Sequence, residues 1–135
     1  MGIVIYTDGG ARGNPGPAGA GAVIYDGERV VAEVSQYLGD KQTNNWAEYE
    51  ALALALAEAK KHGFAGRVIE VRMDSELIVK QMRGEYRVKD SALKKQHAKV
   101  RALLSEFSGA RFVHIPREKN KEADRLVNKA IDNAR

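Results

Sequence analysis

A chain of 135 residues that is 44% hydrophobic is one domain's worth, and with no cysteine it is held by neither disulfides nor a thiolate metal site. No apolar run approaches the ~18 residues of a membrane span, and the N-terminus enters a strand-like run without a signal-like region, so residues 1–135 are expected to form a single, complete, cytoplasmic domain. The net charge of +4 does not by itself point to nucleic acid.

The first element is the run Ile3-Val4-Ile5-Tyr6-Thr7, β-branched and aromatic, which reads as a strand buried on both faces over residues 3–8 and ends in Asp8. A glycine-rich stretch, residues 9 to 21, follows. It lacks the Gly-Lys-Ser/Thr ending of a phosphate-binding loop and leads into Ala22-Val23-Ile24-Tyr25, so a tight turn into a hairpin is the favoured reading. Strands over 18–26 and 29–37 complete an antiparallel meander.

Thr43-Asn44-Asn45 should start a helix, because short polar side chains satisfy its first free N–H groups, and Gly63 should stop it after about His62. Glu48 shares a stripe with Leu52 and Leu56 at i, i+4 and i+8, which puts this carboxylate on the inward face. Glu50 and Glu58 fall away from that stripe and are expected to be solvated. A strand over 67–73 ends before Asp74, and helices are predicted over 75–83 and 90–107.

Residues 80 to 101 carry Lys80, Arg83, Arg87, Lys89, Lys94, Lys95, Lys99 and Arg101 against Glu85 and Asp90, a local +6 that leaves the rest of the chain at −2. Cations there, among them Lys89, Lys94 and Lys95, could track phosphates; the plainer alternative is a solvated helix face. A strand over 110–115 and a helix over 119–133 finish the chain. In that helix Asp124 shares a stripe with Val127 and Ile131, and Glu122 points away.

Asp8, Glu48, Asp74 and Asp124 thus stand in four segments, at strand ends or on inward helix faces, where an unpaired charge is costly. Any one alone is more often a cap or half of an ion pair. Together they are the donor set of a two-metal phosphoryl-transfer site: hard carboxylate oxygens suited to Mg²⁺ or Mn²⁺, with two ions about 3.5 to 4 Å apart.

The segments Tyr6-Thr7-Asp8-Gly9-Gly10, Gly13-Asn14-Pro15-Gly16-Pro17, Thr43-Asn44-Asn45-Trp46-Ala47-Glu48-Tyr49, Asp74-Ser75 and Asn120-Lys121-Glu122-Ala123-Asp124 resemble the ordered motifs of type 1 ribonuclease H. The resemblance covers nearly the whole chain. It implies an α/β, ribonuclease H-like fold with a five-stranded mixed sheet of order 3-2-1-4-5 flanked by helices. It also implies an endonuclease, expected as a monomer, that cuts the RNA strand of an RNA/DNA hybrid with two divalent ions and leaves 5′-phosphate and 3′-hydroxyl ends. On this reading Asp8 bridges both ions, Glu48 and Asp74 complete one site, and Asp124 completes the other. Asn14, Asn44 and Asn45 become minor-groove contacts, where 2′-hydroxyls distinguish RNA from DNA.

The chain departs from better-known bacterial members in three places. The basic, Trp-containing protrusion is reduced to Arg83 to Lys89, so weaker hybrid binding is expected. Glu76 stands where many members have a substrate-contacting glutamine. The loop after the last strand, Ile115 to Asn120, has no histidine; Arg117, a fork-shaped cation, is the candidate for that auxiliary place and Glu118 the second choice. A same-fold nuclease acting on double-stranded RNA or branched DNA, and a non-catalytic hybrid-binding module, are the alternatives, although the second has no use for four acids.

Overall fold

The computed structural model describes residues 2–134. Strands β1 (Ile3–Ala11), β2 (Gly16–Asp26) and β3 (Arg29–Gln42) form the antiparallel meander. Helix α1 (Asn44–Lys61), strand β4 (Val68–Met73), helices α2 (Glu76–Met82) and α3 (Ser91–Leu104), strand β5 (Gly109–His114), a 3₁₀ turn (Arg117–Lys119) and helix α4 (Lys121–Asn133) follow. The sheet order is β3-β2-β1-β4-β5, with β4 parallel to β1 and β5 parallel to β4. This is the expected mixed sheet.

Parallel register fixes what matters most. Thr7 lies opposite Met73, so the next residues, Asp8 within β1 and Asp74 just past β4, stand at the same level. Alternation along β1 buries Ile3, Ile5 and Thr7. Ile3 and Ile5 join Leu52, Leu56, Val71 and Ile78 in a core between the sheet and the helices α1, α2 and α3. Helix α1 begins where expected, with the Thr43 hydroxyl accepting the Trp46 N–H at 3.2 Å, and ends at His62 followed by Gly63 with φ of 87°.

Helix α4 covers the opposite face over β2. Its approach depends on Gly19 and Gly21: a Cβ on Gly21 would lie 2.2 Å from the Ala123 carbonyl oxygen, and one on Gly19 2.8 Å from that of Val127.

Several boundaries differ from the sequence reading. β1 runs on to Ala11 and β2 starts at Gly16, with Gly9 paired to Ala20 and Gly10 to Gly19; only residues 12 to 15 turn, closed by the Arg12 N–H on the Pro17 carbonyl at 2.8 Å. Glycine carries no strand signal, but here small residues let helices lie against the ladder. β3 extends to Gln42 as a polar edge strand with register shifts against β2. α3 stops at Leu104, where the chain tightens into i→i+3 bonds, and α4 starts at Lys121 because the 3₁₀ turn occupies 117–119. Glu50 is not solvated: its Oε1 accepts from Lys99 Nζ at 2.5 Å and Gln96 Nε2 at 3.0 Å, tying α1 to α3.

Candidate active site

The interior of one strand, the end of another, one helix face and one helix start supply the acids. Asp8 and Asp74 come from β1 and β4 by the register just described. Glu48, one turn into α1, is buried and accepts the Gly9 N–H on Oε1 at 3.1 Å. A Cβ on Gly9 would stand 2.2 Å from the Ala47 carbonyl oxygen, so only glycine lets α1 lie this close to β1.

The fourth acid depends on Asn120. This residue, 1% exposed, donates its side-chain amide to the Thr7 carbonyl at 2.9 Å and also hydrogen-bonds the Asp74 carboxylate. Its own carbonyl accepts the Asp124 N–H at 3.1 Å. One asparagine therefore joins Thr7 in β1, the end of β4 and the first turn of α4. Arg117, in the 3₁₀ turn, reaches Asp124 at 4.0 Å.

The four carboxylates share one cleft of about 450 Å³ with Asn44 and Arg117. Oxygens of Asp8, Glu48 and Asp74 all lie within 4.8 Å of one another. Asp124 stands outside that set of three but lines the same cleft, where its carboxylate raises the proton affinity of Asp8. Burial pushes the Asp8 carboxyl from its ordinary 3.8 up to about 8, helped by the charges of Asp74 and Asp124 and opposed by Arg117. Glu48 is also raised, first by burial and then by Asp8 and Asp74, against the Gly9 N–H. Burial raises Asp74 too, although the Asn120 hydrogen bond and Arg117 pull the other way.

Such crowding is unfavourable without a counter-charge, and Arg117, whose side chain is 82% exposed, is a weak one. The donor set is all hard carboxylate oxygen, with no sulfur or imidazole. It fits Mg²⁺ or Mn²⁺ rather than a soft metal.

The other predicted residues divide. Asn14 Oδ1 accepts the Asn44 N–H at 2.9 Å, and Asn44 Oδ1 accepts the Ala11 N–H at 2.8 Å. The pair locks the β1–β2 turn to the start of α1 through the two side-chain oxygens; Asn44 lines the cleft and Asn14 does not. Asn45 is half-buried beside them and does not line the cleft. Glu76, at the start of α2, and Lys89, Lys94 and Lys95, around the start of α3, are exposed and lie outside it.

Two cleft residues, Arg12 and Asn128, and the buried Asn120 beneath the acids escaped the sequence reading. Arg12 lines the far wall, ion-paired to Asp132 at 2.6 Å and donating to Asn128 Oδ1 at 3.0 Å. Neither Arg12 nor Asn128 sits on an apolar stripe or at a strand end. Asn120 lay within a quoted motif, but only its burial and partners reveal a role.

The profile of a family described as reverse transcriptase-like matches residues 6–130. A protein of Mycobacterium tuberculosis described as bifunctional is 46% identical over 99% of the chain, which spans 36% of that relative's length. Ribonuclease HI of Halobacterium salinarum is 43% identical over 96% of the chain, which spans 64% of it. The crystal structure of LC11-RNase H1 in complex with an RNA/DNA hybrid, from a protein isolated from compost by a metagenomic approach, superposes with a TM-score of 0.93 at 53% identity and 98% coverage of both chains.

Proposed function

Since the chain belongs to the type 1 ribonuclease H family, we propose that it is an endonuclease hydrolysing the RNA strand of RNA/DNA hybrids, leaving 5′-phosphate and 3′-hydroxyl ends. The observation that carries this reading is the convergence of Asp8, Glu48 and Asp74, from three elements, to within 4.8 Å. A binding module or scaffold has no use for three buried or half-buried acids so close that Asp74 raises the proton affinity of Asp8, and both raise that of Glu48.

On this reading Asp8 is shared between two sites for Mg²⁺ or Mn²⁺, with Glu48 and Asp74 completing one and Asp124 the other. When bound, such ions supply an acidified water as nucleophile and a counter-charge for the departing 3′-oxygen. The chain's own residues do the rest. Glu48, held by the Gly9 N–H, and Asp74, held by Asn120, keep their oxygens oriented before substrate arrives. The side-chain amides of Asn14 and Asn44 face a groove displaying 2′-hydroxyls, with Asn45 and Glu76 flanking them. Arg117 holds the scissile phosphate or the product at the mouth of the cleft. Lys89, Lys94 and Lys95 track the partner strand.

Residues 1–135 would work as one ribonuclease H domain, a cytoplasmic monomer; no helix among the described residues is long and apolar enough to cross a membrane. The test is to incubate the protein with matched RNA/DNA, RNA/RNA and DNA/DNA duplexes in Mg²⁺, Mn²⁺ or chelator, beside Asp74→Asn. Metal-dependent cutting confined to the RNA of the hybrid, and lost in the variant, is expected. Binding without cutting would overturn the catalytic reading, and cutting of another duplex would overturn the substrate.

A further inference from the structure

A second charged cleft lies away from the acids, where α2, the end of α3 and the edge strand β5 meet. Its volume is about 550 Å³. Arg83, Arg101 and Arg111 line it above an apolar floor that includes Met82, Leu104 and Phe112. These three cations come from three elements and gather only in the folded chain.

Two of them are fixed by backbone. Arg83 Nε donates to the Phe112 carbonyl at 2.9 Å, and an Arg101 terminal nitrogen to the Met82 carbonyl at 2.8 Å. Each bond uses one of five donors on a guanidinium, so both forks are oriented while most of their N–H groups are left over. The facing acids compensate poorly. Glu85 stands 3.7 Å from Arg83, and Glu70 stands 3.6 Å from Arg111 while its other oxygen is held by Arg72 at 2.6 Å. Two oriented guanidinium groups with an exposed third, Arg111, on the neighbouring edge strand, against Glu85 at 3.7 Å and a Glu70 already held by Arg72, suit an oxyanion accepting several N–H bonds at once.

We propose that this cleft is a second site for a nucleic-acid phosphate, gripping the backbone of a strand that runs past the acidic cleft. Arg111 pairs in register with Glu70, four residues before Asp74 on the neighbouring strand. At a rise of about 3.3 Å per residue and a strand spacing of about 4.8 Å, it stands roughly 14 Å from Asp74 in the sheet. That spans a few nucleotides, since each strand of a duplex carries a phosphate every ~3.4 Å of axis. The site accounts for part of what the shortened protrusion gives up: of the eight cations in residues 80 to 101, Arg83 and Arg101 are the ones that this cleft collects. The proposal rests on the reading that the partner is nucleic acid, not on the hydrolysis.

The test uses the whole chain in chelator, so that binding is read apart from cleavage. Anisotropy of a labelled RNA/DNA hybrid is measured against salt for the native protein, Arg111→Lys, Arg111→Ala and Arg111→Glu. The Arg111 side chain is 77% exposed, so these changes leave the core intact. Arg111→Ala should weaken binding several-fold and reduce the slope of log K against log[salt] by about 0.9, one phosphate's worth. Arg111→Glu should exceed it, and Arg111→Lys should retain most of the slope. In parallel, the arginine Nε–H resonances of the native protein are followed during titration with the hybrid and with inorganic phosphate. Shifts at Arg83 and Arg101 with the hybrid are expected. An unchanged slope in Arg111→Glu would overturn the proposal, as would shifts with inorganic phosphate alone, which would make this a small-anion site. A protein that binds as described yet cuts nothing would leave this site standing and sink the hydrolysis.

Discussion

Glu48 is hydrogen-bonded to the backbone N–H of Gly9, the residue directly after Asp8, at 3.1 Å. The carboxylate of α1 and the aspartate of β1 are therefore set by one contact, which exists only because Gly9 lacks a side chain. Gly9→Ala would place a methyl group 2.2 Å from the Ala47 carbonyl oxygen, a rigid backbone atom that cannot swing away. We expect a loss of about 2 to 3 kcal/mol in urea unfolding, at the upper end for overpacking, together with loss of cleavage even where the variant folds. Native stability in that variant would show that α1 can lift off without cost.

Protonation gives a second prediction. A carboxyl whose folded pKa lies above its unfolded value holds a proton in the native state that the unfolded chain has released, so native stability falls as pH rises between the two values. For Asp8 that window runs from about 4 to about 8, and the raised Glu48 and Asp74 act in the same direction. In chelator these groups should therefore lower the melting temperature between pH 5 and pH 8. Mg²⁺ should raise it most at pH 8, and Asp8→Asn should flatten the slope and melt higher than the native protein at pH 8 without metal. A melting temperature in chelator that climbs through this window, equally in both proteins, would contradict it.

Asn120 provides a third. Asn120→Ala removes the donor to the Thr7 carbonyl and to Asp74, and should cost about 1 to 3 kcal/mol, the penalty for leaving a buried acceptor unpaired. Cleavage should fall further than stability, and Mn²⁺ affinity by calorimetry should weaken. Asn120→Asp adds another negative charge beside Asp74 and should be worse for activity in the absence of excess metal. Equal stability and Mn²⁺ affinity in native protein and Asn120→Ala would dismiss the link between β1, β4 and α4.

Arg117 should matter less. Its side chain is exposed and 4.0 Å from Asp124, so Arg117→Ala should slow turnover by about fivefold or less, in line with the ~1 kcal/mol of an exposed ion pair. Because Arg117 lowers the proton affinity of Asp8 and Asp74, its removal should also move the acidic limb of the pH–rate profile upward. An unchanged rate and profile would pass the auxiliary role to Glu118 or to no residue.

Much of the site could be read before any coordinates. Asp8 and Asp74 announce themselves because apolar runs stop at them, and Glu48 because it continues the stripe of Leu52 and Leu56. These are local signals with a fixed period. What the sequence could not give is tertiary. Asn120 has no periodic signature, and its Thr7 partner lies 113 residues away. The grouping of Arg83, Arg101 and Arg111 depends on how α2 ends against β5. Glu50 looks like a surface acid until α3 brings Lys99 and Gln96 to it. The glycine stretch after Asp8 reads as a loop because glycine carries no pattern, although most of it is paired strand.

Gly19 and Gly21 set the height of α4 above the sheet, and hence how deep Asp124 sits beside Asp8. Two missing side chains on β2 thus act as a shim of zero thickness beneath a helix that bears on the chemistry. A methyl group there would jack α4 upward and pull Asp124 out of reach without removing a single acid from the chain. An inventory of charged groups would then pronounce intact a centre whose calibration had been lost from underneath.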